Sequence, residues 1–267
     1  MKTKIAVVGI ACLLNVPASA DALFPSPSIP NVARSDGWVF ALGAGNEYEA
    51  EYDGSDDYGV ELEPVFAVQR RNGNSVWFLE GQELGWRSRV DAQWLVQAGL
   101  RFEGGRESSE SDALTGLADI DDEIVVMGEV RRGFGENWNN WVAARIMAGD
   151  SDIGELGVLA AGHTFGANRD GTGVDVFAFV TLASSSFINR DFGISAADSA
   201  SSGLAQYRAD GGYRSAGIQV VGRWEFGENW QLFGEVGYER YSSDIADSPI
   251  ALDDFEAEVG LNLAYIF

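Results

Sequence analysis

The sequence predicts an all-β protein, a transmembrane antiparallel up-and-down β-barrel. Three observations predict it. Period-two alternation of apolar and polar residues recurs along the chain, as strands with one apolar face require. The alternating segments run roughly 10 to 13 residues, the length of a tilted strand that crosses a bilayer, whereas soluble strands average about five or six. Aromatics gather toward segment ends as membrane-interface girdles do: Trp38, Trp77, Phe78, Trp138, Trp141, Trp224, Phe226, Trp230, Tyr238 and Tyr241.

The last segment alternates most clearly. Phe255, Ala257, Val259, Leu261, Leu263, Tyr265 and Phe267 share one face, and Glu256, Glu258, Gly260 and Asn262 share the other. Residues 92–103 and 216–226 repeat the pattern. Beyond the first twenty residues no apolar run approaches the roughly 18 residues of a membrane helix.

Strands are expected at 38–46, 61–71, 75–87, 91–103, 122–132, 138–148, 154–166, 174–184, 215–226, 229–241 and 254–267. The intervals 71–74 and 169–173 carry Asn, Asp and Gly and read as tight turns. A repeated Phe-Gly-Glu-Asn-Trp at 134–138 and 226–230 reads as a duplicated hairpin turn. Longer polar stretches at 47–60, 104–121, 185–214 and 242–253 read as outer loops, since such barrels keep short turns on the periplasmic side. Eleven strands conflict with the even number of a bacterial barrel. The conflict lies between residues 60 and 104, where one segment is a merged or surplus strand, or in a strand hidden within 185–214. The expectation is twelve strands, with ten as the alternative.

Met1–Lys4 form a short basic start, Ile5–Val16 an apolar run, and Ala18-Ser19-Ala20 a small-residue cleavage site. This is the order of a secretory signal peptide. The expected organisation is a signal peptide at 1–20, a Pro- and Ser-rich periplasmic lead-in at 21–37 and a barrel at 38–267. Lys2 and Lys4 are the only lysines and Cys12 the only cysteine. Cleavage would leave 16 arginines against 41 acids, a formal charge of -25, and no thiol. A thiol-free chain suits an oxidising compartment.

Such acidity argues against nucleic acid as a partner, because phosphates need cationic side chains. One cysteine and one histidine exclude a disulfide scaffold and a multi-histidine metal centre. No cofactor is expected. His163 stands in Ala161-Gly162-His163-Thr164 with no flanking serine, and no Gly-x-Ser-x-Gly elbow is present. The expectation is a hydrogen-bonded histidine and no catalytic residue. Asp53, Asp56 and Asp57, in a loop read to include Glu47, Glu49 and Glu51, are the weak candidates for a divalent-cation site. Arg101, Glu103, Glu129, Arg131, Arg223, Glu225, Glu235, Glu239, Glu256 and Glu258 fall on the inner face. They would line a narrow channel or pair into a plug.

Gly43-Ala44-Gly45-Asn46-Glu47-Tyr48, then Tyr52-Asp53-Gly54-Ser55-Asp56-Asp57-Tyr58 and Pro64, resembles the entry hairpin of the MltA-interacting protein (MipA)/OmpV family. Gly105-Arg106, Leu114-Thr115-Gly116-Leu117, Phe192-Gly193-Ile194-Ser195 and the ending Asp247-Ser248-Pro249-Ile250 through Phe267 are similar too. The chain departs from the family in lacking lysine beyond Lys4 and in carrying Ile266 where a basic residue is common. The resemblance implies an integral barrel in the outer membrane of a Gram-negative bacterium. It implies a scaffold that links murein-degrading and murein-synthesising enzymes, with a small or gated solute channel, or an adhesin acting through acidic outer loops, as alternatives. Expected partners are outer-membrane lipid and lipopolysaccharide, a periplasmic murein hydrolase or synthase, and the barrel-assembly machinery, for which Phe267 would be the terminal signal.

Overall fold

A computed structural model describes residues 36–135, 138–151, 153–166 and 172–267. The signal peptide and nearly all of the lead-in lie outside the described residues, as does most of the turn at 169–173. Twelve strands follow: β1 Gly37–Ala50, β2 Tyr58–Asn72, β3 Ser75–Glu80, β4 Glu83–Arg89, β5 Trp94–Glu103, β6 Glu123–Phe134, β7 Asn140–Ala148, β8 Glu155–Phe165, β9 Gly173–Ala183, β10 Gly212–Phe226, β11 Trp230–Tyr241 and β12 Phe255–Ile266. Each pairs antiparallel with its sequence neighbours, and β12 closes on β1, so the sheet is a barrel without end strands.

The alternation predicts the two faces correctly. On β12, Val259, Leu261 and Leu263 point outward, while Glu256, Glu258 and Asn262 are buried within. On β1, Trp38, Phe40, Leu42 and Tyr48 point outward, and Glu47 and Glu49 inward. An apolar outer face is what lipid solvates without penalty, and closure satisfies the backbone groups that lipid cannot.

The eleven-strand parse fails at 75–87, which is two strands. Gly81 and Gln82 form a tight turn between β3 and β4, with Gly81 at φ +50°, a conformation few other residues tolerate. The outward face moves from odd residues (Trp77, Leu79) to even ones (Leu84, Trp86) across that turn. The segment 185–214 hides no extra strand. It holds α1, Ser185–Phe192, and α2, Ala196–Ser202. A short third helix, α3, spans Ser243–Ala246.

The girdles are also corrected. Trp38, Trp77, Trp224, Phe226 and Trp230 lie exposed toward the periplasmic end, and Tyr238 toward the outer end beside Phe255. Phe78, Trp141 and Tyr241 instead face the lumen and are buried. There Trp141 packs on Phe177 at 5.3 Å, and Phe192 meets Tyr241 edge-on at 5.5 Å. The Phe-Gly-Glu-Asn-Trp segment at 226–230 is a hairpin turn between β10 and β11; the one at 134–138 falls between β6 and β7, with Glu136 and Asn137 outside the described residues.

Candidate functional site

The lumen is filled rather than hollow. Its centre is Arg145 on β7, whose side chain has no exposed surface. Arg145 donates to Glu83 Oε1 at 2.7 Å and to Glu129 Oε2 at 2.8 Å. Arg101 reaches Glu83 at 3.5 Å and Glu103 at 2.8 Å, and Arg131 pairs with Glu129 at 3.0 Å. Arg87 with Glu80 and Arg223 with Asp175, both at 2.7 Å, continue the pattern. Ion pairs in a low-dielectric interior hold each partner in place, because freeing either strands a charge. An apolar layer that includes Phe78, Met127, Trp141, Phe177 and Phe179 packs alongside. Of the inner-face charges, Arg101, Glu103, Glu129, Arg131, Arg223 and Glu239 take part in ion pairs, as a plug requires.

The lumen wall is chemically lopsided. β1, β2, β11 and β12 turn Glu47, Glu49, Glu63, Glu235 and Glu258 inward. Gln219 donates to Glu235 at 3.1 Å and to Glu258 at 2.8 Å, and Asn262 donates to Glu63 at 3.4 Å. Glu47 and Glu49 were read from sequence as loop acids. They belong to β1, because Asn46 and Tyr48 keep the exposed outer face while the two acids keep the inner one.

Four outer loops close over the mouth. Tyr52 donates its hydroxyl to the Ile250 carbonyl at 3.1 Å, and Leu252 N–H donates to the Gly54 carbonyl at 2.6 Å. Ser248 donates to the Phe192 carbonyl at 2.7 Å. Arg106 donates to the Asp191 carbonyl at 2.5 Å, Arg190 to the Gly104 carbonyl at 3.0 Å, and Ser201 to the Gly116 carbonyl at 2.6 Å. Gly54 sits at φ +85°, and a Cβ there would lie 3.1 Å from Ala251 and 3.2 Å from the Phe192 ring. The helices start on serine caps, Ser184 for α1 and Ser195 with Asp198 as a capping box for α2. These caps were legible locally and were missed.

The motif residues therefore build the lid. Tyr52, Gly54, Ser55 and Ser248 are buried in it; Asp56, Asp57 and Asp247 are exposed, and Pro249 is half-buried. Ser55 Oγ accepts from Asp57 N–H at 3.1 Å. Tyr58 stacks on Tyr48 outside the barrel, and Pro64 lies on β2. Phe267 closes the last ladder through its N–H to the Phe40 carbonyl, at 2.8 Å. Asp53 does not join Asp56 and Asp57. It turns inward to Arg214 at 2.6 Å, and no group of three carboxylates among the described residues has metal-holding geometry. His163 faces outward on β8, 2.8 Å from Asn140 Oδ1 and against the Phe165 ring.

Between lid and plug lies a cavity of about 120 Å³. Its charged lining mixes Arg101, Arg106, Arg190 and Arg214 with Glu51, Asp53, Glu103, Glu110, Asp191 and Glu239. Burial pushes the Tyr52 phenol up to about 12, so it stays a neutral donor. Burial also pushes the Asp191 carboxyl up to about 6, opposed by Arg190 and reinforced by Asp53. An acid raised in the fold favours the closed state while protonated. The lid is therefore expected to lose up to about 3 kcal/mol between roughly pH 4 and pH 6, at 1.36 kcal/mol per pKa unit. Asp198, held below the usual carboxylate range by Ser195, acts with the opposite sign only below about pH 4. A nitroxide at Ala197→Cys should report greater mobility at pH 7 than at pH 4.5, and Asp191→Asn should remove the difference.

The sequence matches the family described as MltA-interacting protein MipA over residues 42–267. The chain belongs to the MipA family. No curated protein is a significant match. Among solved structures, the NanC porin is similar at 11% identity and TM-score 0.43, covering 84% of this chain and 98% of that one. OprB of Pseudomonas putida is similar at 9% identity and 0.44, covering 86% and 94%. The CymD monoaromatic hydrocarbon channel is similar at 10% and 0.43, covering 94% of each chain. The chain is an outer-membrane β-barrel.

Proposed function

We propose that this MipA-family barrel is a closed, non-enzymatic platform of the Gram-negative outer membrane rather than an open pore. One observation carries the reading: the lumen is packed with ion pairs and aromatics beneath a hydrogen-bonded lid. A barrel that conducts at rest leaves a continuous aqueous path, whereas small barrels fill with side chains. The family's description points to a murein transglycosylase as the partner. The short turns at 73–74, 90–93 and 227–229 would offer its contact surface on the periplasmic side. His163 has an interfacial asparagine for a partner, an arrangement that supports positioning rather than catalysis.

The full-length protein in planar bilayers should stay electrically silent at moderate voltage. Crosslinking from intact envelopes, with photoreactive groups placed in the two Phe-Gly-Glu-Asn-Trp turns, should capture a murein hydrolase or synthase. Steady ohmic conductance together with empty crosslinks would reject the platform. A second reading, a gated cation path, is favoured by the acidic half of the lumen. It would show as cation-selective openings that appear only after the lid is disrupted.

A further inference from the structure

The barrel wall is incomplete on one side. β2 has 15 residues, but β3 has 6 and β4 has 7. β2 pairs with β3 only from Ala67 to Asn72, and from Tyr58 to Phe66 it is laddered to β1 alone among the described residues. At about 3.3 Å per residue that leaves roughly 25 Å of strand edge without a neighbour.

In an antiparallel ladder a residue aims both backbone polar groups at the same neighbour. The Phe66 carbonyl accepts from Gly81 N–H at 3.3 Å, so even-numbered β2 residues address the missing strand. Tyr58, Val60 and Leu62 present their backbone groups to the gap. Pro64, also on this side, has no N–H to present. A bare edge ordinarily invites an added strand, and a proline in mid-edge opposes one. The gap is shaped for an occupant that is not a strand.

Its two sides differ in chemistry. Val60 and Leu62, 69% and 72% exposed, face lipid. Glu61 and Glu63 face inward on the same stretch, with Glu51 and Glu110 within electrostatic reach of Glu61. Gln82, at the tip of the β3–β4 hairpin, lines the cavity beneath the lid together with Glu51, Glu103 and Glu110. Glu51, Glu61 and Glu63 have no ion pair among the described residues. Asn262, 2% exposed, donates to Glu63, while its Oδ1 accepts from nothing. Carboxylates without a cationic partner, Glu63 being hydrogen-bonded to Asn262 and to the acid Glu47, beside a buried acceptor that lacks a donor, call for positive charge carried on N–H donors.

We propose that the gap is a lateral portal that admits the head of a primary-ammonium amphiphile from the outer leaflet to Glu61 and Glu63, its chain remaining in lipid against Val60 and Leu62. The ligand class follows from the site: an apolar rim on the membrane side and acceptors behind it. Such a site binds from the bilayer and needs no open lumen.

The test places an environment-sensitive fluorophore at Gln82→Cys in the full-length protein in phosphatidylcholine vesicles. Quenching is titrated with chain-brominated dodecylammonium and with chain-brominated dodecyl sulfate. The ammonium probe is expected to half-quench at a concentration at least about tenfold lower than the sulfate. Glu61→Gln with Glu63→Gln should erase most of that difference, and Glu228→Gln, in an exposed turn, should leave it intact. Heat-modifiable gel migration of each variant shows that the barrel has formed. Equal quenching by both probes, no quenching by the ammonium, or an unchanged preference in the double variant would each overturn the portal.

Discussion

Arg145→Ala is expected to cost about 3–5 kcal/mol of barrel stability, the penalty for removing one partner from a buried ion pair. Arg145 has no exposed side-chain surface and holds Glu83 and Glu129 at once. Its loss leaves two carboxylates facing each other in the lumen with Arg101 and Arg131 only partly compensating. The urea midpoint for loss of the heat-modifiable band in vesicles measures the effect. Arg240→Ala is the contrast. That arginine pairs with Asp254 at 2.6 Å but is 64% exposed, so water screens the pair and the midpoint is expected to stay close to that of the unaltered protein. Equal midpoints for the two variants would mean that the lumen network does not support the wall.

Phe192→Ala is expected to weaken lid closure by about 3–5 kcal/mol, the usual range for emptying a buried aromatic site. Phe192 is fully buried at the end of α1, where its ring meets Tyr241 and the Gly54 backbone and its carbonyl accepts from Ser248. Three of the four outer loops thus converge near one side chain, and Arg106 of the fourth donates to the adjacent Asp191 carbonyl. A loss of that size raises the open-lid population at least about a hundredfold, at 1.4 kcal/mol per factor of ten. Limited proteolysis within 184–211 should accelerate accordingly, while the barrel's own urea midpoint moves little. A slower or unchanged cleavage rate would show that the lid is held elsewhere.

The motif at 52–58 and the segment at 247–250 are almost two hundred residues apart, yet Tyr52 and Ile250 share a hydrogen bond. Sequence reading assigned both to the family and could not tell that they touch. The three acids of the candidate cation site are separated for the same reason. Asp53 lies beside Asp56 and Asp57 in the chain, but its partner is Arg214, brought there by barrel closure.

The sequence by itself determined the membrane barrel, its apolar outer face and most of its strands. Each of these follows from a period of two, which local residue order carries whatever the chain does later. The switch of apolar parity across Gly81 and Gln82 was also present in the sequence, but two residues of turn make a faint signal. Only the tertiary structure decided that Trp141, Phe78 and Tyr241 point inward, that Arg145 gathers Glu83 and Glu129 while the acids of β1, β2, β11 and β12 collect on the other side of the lumen, that the long loops knit into a lid, and that the wall stops short beside β2. Those outcomes depend on which strands become neighbours and where each one ends around the ring. Closure sets both at once, and no local window of residues contains it.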